Sequence, residues 1–115
     1  MKLVYMSLAK ELHFAKDFIV KYIIKHNQAP LNPFNHGSYW LLDTVERDKI
    51  RDVCNYYVLR SDEIWVFNHN YKIEADGVIR EIEIAKENNI LIKYFIIDKD
   101  TQKIKEIKEM VYNEL

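Results

Sequence analysis

The sequence predicts a three-layer α/β sandwich, a mainly parallel four-stranded sheet held between helices. Three observations carry that prediction. Short β-branched and aromatic runs alternate with amphipathic stretches of helical period, so that each strand is separated from the next by a helix. Residues 90–97, Ile-Leu-Ile-Lys-Tyr-Phe-Ile-Ile, are almost unbroken apolar, as suits a strand covered on both faces. The chain of 115 residues, 49% hydrophobic and 30% charged, has material for one domain spanning 1–115 and too little for two.

The elements follow in order. Residues 2–6, with Val4 and Tyr5 at their centre, read as the first strand. From 9 to 26, Leu12, Ala15, Ile19, Tyr22 and Ile23 recur at helical spacing with lysines and acids between them, which predicts an amphipathic helix. Pro30 and Pro33 exclude helix and bias their predecessors to extended geometry, so 28–33 reads as a short second strand. Residues 34–42 are aromatic and irregular, with Gly37 and Ser38 marking a turn, and read as a loop. Asp43, with Glu46 three residues on, has the spacing of a capping box. It introduces a helix to about Arg60 with Ile50, Val53, Cys54, Tyr57 and Val58 on its apolar face.

Residues 63–67 have the content of a central strand, which Asn68-His69-Asn70 ends. Asp76 is placed to cap a third helix from Gly77 to about Asn88, followed by the apolar 90–97 strand. After the polar turn 98–101, Ile104, Ile107, Val111 and Leu115 read as a last amphipathic helix. With right-handed crossovers the expected strand order is 2-1-3-4, a flavodoxin- or Rossmann-like arrangement. Strand order then reverses between the first and third strands, so a ligand crevice should open at their carboxyl ends. The loops 7–10, 32–42 and 68–77 surround it and make Ser7, Asn32 and Asn68 candidate ligand contacts.

Charge and cysteine usage exclude several functions. Seventeen Lys and Arg against eighteen Asp and Glu leave a net charge of −1, with no cationic excess to neutralise a nucleic-acid duplex. A lone cysteine, Cys54, forms no internal disulfide and no Cys/His set has zinc spacing, so no metal is expected and the compartment should be reducing. On the apolar face of its helix Cys54 reads as a small core residue. No run approaches the roughly 18 apolar residues of a membrane helix, and the first residues are too short a stretch for a secretory core, so the expected place is the cytoplasm.

The most informative segment is 76–85, Asp-Gly-Val-Ile-Arg-Glu-Ile-Glu-Ile-Ala. On a helical wheel Val78, Ile82, Ala85 and Asn89 centre the buried face, Arg80 and Glu87 point to solvent, and Glu81 falls on a border, one turn from Gly77 and one from Ala85. Gly77 would let a ligand approach the backbone, and a partly desolvated Glu81 can act as nucleophile, or as base if its pKa rises. The plainer reading makes Glu81 and Glu83 ordinary solvated residues. The loop containing His36, Tyr39 and Trp40 has groups to stack on a base and read its edge, or else to cover a core edge or subunit contact. His36 and His69 stand where they could share acid–base work, although a lone histidine is more often structural.

Taken together, Val4-Tyr5-Met6-Ser7, Ala29-Pro30-Leu31-Asn32-Pro33, residues 61–67 and Gly77 to Ala85 resemble the nucleoside 2-deoxyribosyltransferase-like superfamily, more narrowly its small bacterial and phage members of the DUF4406 type. The resemblance implies that Glu81 is a nucleophile attacking the anomeric carbon of a nucleoside or nucleotide, so that the sugar is held as a glycosyl ester until water or an acceptor base takes it, as in retaining glycosidases. It implies that Asp62 works near the base or as proton donor, where the residues alone equally allow a turn residue, and that Tyr5 orients the glutamate, where core packing is equally allowed. Asp76 and Gly77 fall beside the substrate, while the chain has Met6-Ser7-Leu8-Ala9 where the transferases usually have a glycine-containing turn. No cofactor is implied, and the partners expected are a nucleoside or nucleotide small molecule and copies of the same chain in a homodimer or larger homo-oligomer. The function read here is thus an N-glycosidase or 2-deoxyribosyltransferase-like enzyme, with a non-catalytic nucleotide-binding or sensing module of the same fold as the alternative.

Overall fold

Strand parity organises the chain. In the computed structural model, which describes residues 1–32 and 45–114, β1 (Leu3–Ser7) sends Val4 and Met6 to one face of the sheet and Tyr5 and Ser7 to the other. It is flanked by β2 (Ala29–Leu31) and β3 (Glu63–Asn68), and β4 (Leu91–Ile97) lies beyond β3, all parallel. Tyr5 stands beside Leu31 and Ile64, Ser7 beside Val66, and Glu63 beside Leu91. A fifth strand, β5 (Ile104–Ile107), runs antiparallel to β4 and completes the order β2-β1-β3-β4-β5. The expected order of the first four strands is found, and the molecule is a flavodoxin-like sandwich.

Each face of the sheet has its own core. On one face a six-residue 3-10 helix (Lys10–Ala15) and α1 (Lys16–Lys25) bury Leu12, Ala15, Ile19 and Ile23 against Val4, Met6, Trp65, Phe67, Phe95 and Ile97. Phe67 and Phe95 stack there at 5.0 Å, and Trp65 lies 4.9 Å from Phe95. On the other face α2 (Arg47–Arg60) and α3 (Asp76–Glu87) bury Val58, Val78, Ile79, Ile82 and Ala85 against Tyr5, Ile64, Val66 and Tyr94. Asn27 (φ 61°) and Asn89 (φ 56°) follow α1 and α3 in the left-handed region that asparagine tolerates. Each lets the next amide, of Gln28 or Ile90, bond back to a carbonyl five residues earlier.

The structure corrects several expectations. The described residues 104–114 form no helix. Asp98 Oδ1 accepts from the amides of Asp100 and Thr101, Gln102 takes φ 58°, and the chain turns back onto the open edge of β4. Ile104 and Ile107, three apart, fit a helix. In an edge strand the same spacing puts one residue on each face, and Ile104 packs with the α1 core while Ile107 packs with the α3 core. Val111 then pairs with the 71–73 segment, its amide bonding to the Tyr71 carbonyl. The first helix is a 3-10 turn running into α1 rather than one α-helix.

The expected capping box fails because α2 starts at Arg47, with Glu46 itself at the N-cap and making no side-chain cap bond, while Asp43 lies outside the described residues. Val53 falls off the buried face and is 52% exposed. Asp76 does not cap α3 but is its first residue, after Ala75, and Asn89 is exposed. The 34–42 loop lies outside the described residues. Among the described residues no helix is long and apolar enough to cross a membrane.

Candidate functional site

Tyr5 and Ser7 share the sheet face that α3 covers, and both reach Glu81. The Tyr5 hydroxyl donates to Oε2 at 2.5 Å and the Ser7 hydroxyl to Oε1 at 2.6 Å. α3 can present a carboxylate here because Ile82 and Ala85 anchor the helix in the core while Glu81, one residue round from Ile82, meets the carboxyl end of β1. Only 8% of Glu81 is exposed, so it is a buried acid, not the solvated residue of the plainer reading. Burial pushes its carboxyl up to about 7, against the Ser7 and Tyr5 hydrogen bonds, which favour the charged form and hold it down.

The two neighbours of the carboxylate stay protonated. Burial and the Glu81 charge raise the Tyr5 phenol well above its ordinary range, so it remains a donor. The same two causes push the Cys54 thiol up to about 11, so at neutral pH it is a thiol and a poor nucleophile. Cys54 is half-buried, packs against the core beneath α2 and α3 as expected, and also borders the cleft.

A cleft of about 450 Å³ opens over Glu81. The 3-10 turn contributes Lys10 and Glu11, α2 contributes Arg47, Arg51 and Cys54, and the start of α3 contributes Asp76, Gly77 and Arg80. A methyl group at Gly77 would meet nothing within 4 Å, so the backbone of the first turn of α3 faces open space. The cleft stands at the carboxyl ends of β1 and β3, where strand order reverses.

No protein-family model and no curated protein matches the chain. The fold and the geometry of the site therefore carry the functional argument.

Of the residues the sequence singled out, the structure brings Glu81, Tyr5, Ser7, Asp76 and Gly77 together. Asp62 lies elsewhere. It precedes β3, so it sits at the amino end of the sheet, where its carboxylate accepts the Leu3 amide at 2.7 Å. Four residues separate it from Val66, the partner of Ser7, a span of about 13 Å along the strand. Asn68 spends its amide group on the carbonyls of Asn70 and Lys72, building the loop after β3. Asn32 is buried just past β2, and His69 is exposed on the 68–70 turn. His36 and Tyr39 lie outside the described residues.

Sequence reasoning missed Arg47 and Arg51. The signal was available in the helical period: Arg47 and Arg51 are four apart and Cys54 and Asn55 follow Arg51 by three and four, a stripe along one border of the apolar face. Among the described residues no group of three or more His, Cys, Asp or Glu is arranged to hold a metal ion.

Proposed function

We propose that the chain is a nucleoside or nucleotide N-glycosidase of the 2-deoxyribosyltransferase-like type, with Glu81 as nucleophile. The single observation that supports this most is the placement of Glu81: buried, free of any cation among the described residues, and held through both oxygens at the floor of a cleft at the switch point. A carboxylate fixed in this way is poised to attack rather than to neutralise a charge.

In the reaction one Glu81 oxygen bonds to the anomeric carbon as the bond from that carbon to the base nitrogen breaks. The bonding pair leaves with the base, which takes a proton from water in the cleft. The hydroxide left by that water, or a second base that has given its N–H proton to it, then attacks the same carbon as the ester bond breaks, which restores the carboxylate. Tyr5 and Ser7 hold the carboxylate's orientation and favour its ionised form, which is the nucleophilic one. Asp62 does not belong to this reading, because its carboxylate is engaged at the other end of β1.

The test incubates wild type and Glu81→Gln with deoxynucleosides, deoxynucleotides and a free acceptor base, and follows released or exchanged base by chromatography. Base release by wild type, lost in the variant, is the expected result. Equal turnover by both proteins would refute the role of Glu81, and silence from a folded wild type that still binds nucleotides would move the reading to a binding module.

A further inference from the structure

We propose that the cleft is built for a phosphorylated ligand, a nucleoside 5′-monophosphate in preference to the free nucleoside, with Arg47 and Arg51 of α2 as its phosphate contacts and Arg80 of α3 in support. The proposal rests on the reading of Glu81 as the residue that meets the sugar, and extends it to the other end of the substrate.

Arg47 and Arg51 are one helical turn apart, so their side chains leave α2 on one face, and both line the cleft that contains Glu81. Neither they nor Arg80 make a hydrogen bond or ion pair among the described residues. Arg60, farther along the same helix, shows the contrast. It donates to the Tyr56 carbonyl and lies over the Tyr56 ring at 3.3 Å. A guanidinium with no internal partner keeps its fork of donors for a ligand, and that fork matches phosphate oxygens.

The cleft is also divided by charge. The α2 wall contributes Arg47 and Arg51 and no acid, whereas on the 3-10 turn and around the start of α3 the acids Glu11, Glu74 and Asp76 alternate with Lys10 and Arg80. A dianion is therefore drawn to the α2 wall, where its charge meets no acid of the cleft, and this fixes the direction in which a ligand lies. A volume of about 450 Å³ is in the range of small-molecule sites. An uncharged nucleoside would leave the arginine wall facing water.

The experiment uses calorimetry on Glu81→Gln, which binds without turnover, and on the same protein also carrying Arg47→Ala or Arg51→Ala. The probes are a deoxynucleoside, its 5′-monophosphate, deoxyribose 5-phosphate and inorganic phosphate. The monophosphate should bind at least about tenfold tighter than the nucleoside, as expected of hydrogen bonds to a charged group, and each arginine substitution should shrink that gap. Deoxyribose 5-phosphate should bind between the two, with inorganic phosphate weakest. Nucleoside affinity should be the same in all three proteins, which reports that the variants are folded. Equal affinity for nucleoside and monophosphate, a gap that survives both arginine substitutions, or no binding of any probe overturns the proposal. If the monophosphate binds through the arginines and wild type releases no base, the glycosidase reading fails while the phosphate assignment stands.

Discussion

Replacing Glu81 by glutamine should remove much of the pH dependence of stability between pH 5 and 8. Burial raises the Glu81 carboxyl from its ordinary 4.5 to about 7, so within that window the folded chain binds a proton that the unfolded chain has released. Stability therefore falls as pH rises, the opposite of the behaviour of a salt-bridged acid. The rise corresponds to about 3 kcal/mol, fully felt once pH exceeds the folded value. The side chain is buried, so solvent does not screen the effect away. Glutamine keeps the shape, accepts from one hydroxyl through its oxygen and donates to the other through its amide. The assay is urea unfolding of both proteins from pH 5 to pH 8, followed by tryptophan fluorescence, since Trp65 lies in the core beside Phe95. His13, pushed down by burial, titrates with the opposite sign, but it is present in both proteins and cancels in their difference. The variant should gain about 3 kcal/mol on wild type between pH 5 and pH 8. A difference that stays flat across the window would refute the claim that the fold holds Glu81 against its ionisation.

Three further outcomes are expected. Base release by wild type should rise with pH through about 7 as Glu81 ionises, and Tyr5→Phe, which removes a donor to the charged form, should move that rise upward by about one pH unit; a profile that does not move shows the hydrogen bond to be without effect on the carboxylate. Asp62→Asn should leave base release unchanged, and a loss of turnover without loss of folding would place Asp62 back in the chemistry. Glu63→Ala should cost about 1–3 kcal/mol in urea unfolding, because it strands the buried Trp65 indole N–H that donates to Glu63 at 2.9 Å; a cost near zero would show that the indole finds another partner.

Much of the fold was legible because burial and period coincide. The run at 90–97 is apolar on both sides because helices lie on both sides, and the strand order followed from parallel strands joined by helices. Glu81 was legible as a border residue of α3, yet its burial was not, since that depends on Tyr5 and Ser7 arriving from β1 more than seventy positions away. The last strand was misread because Ile104 and Ile107 satisfy a helical spacing and a strand with both faces covered equally well. What decided between them was the unpaired edge of β4, a tertiary fact. The end of the sheet that Asp62 occupies was legible too: a residue just before a strand of a parallel sheet lies at its amino end, away from the crevice at the carboxyl ends, and the role the resemblance implies for Asp62 conflicts with that position.

The two buried glutamates argue the functional point together. Glu63, at the amino end of the sheet, is 4% exposed, and burial acts to raise its pKa. Hydrogen bonds from Lys2 at 2.6 Å and Trp65, with the charge of Lys93 at 3.9 Å, outweigh that and leave it lowered. The fold thus stabilises a buried carboxylate fully where it serves structure. At the carboxyl end it does otherwise. Glu81 receives two hydroxyl donors and no cation among the described residues, although Arg47, Arg51 and Arg80 line the same cleft without partners of their own. Pairing any of them with Glu81 would stabilise the protein and quench the carboxylate. Keeping acid and arginines apart costs stability and leaves both ends of the cleft with unmet bonding capacity, the arrangement expected of a site whose partner is a ligand.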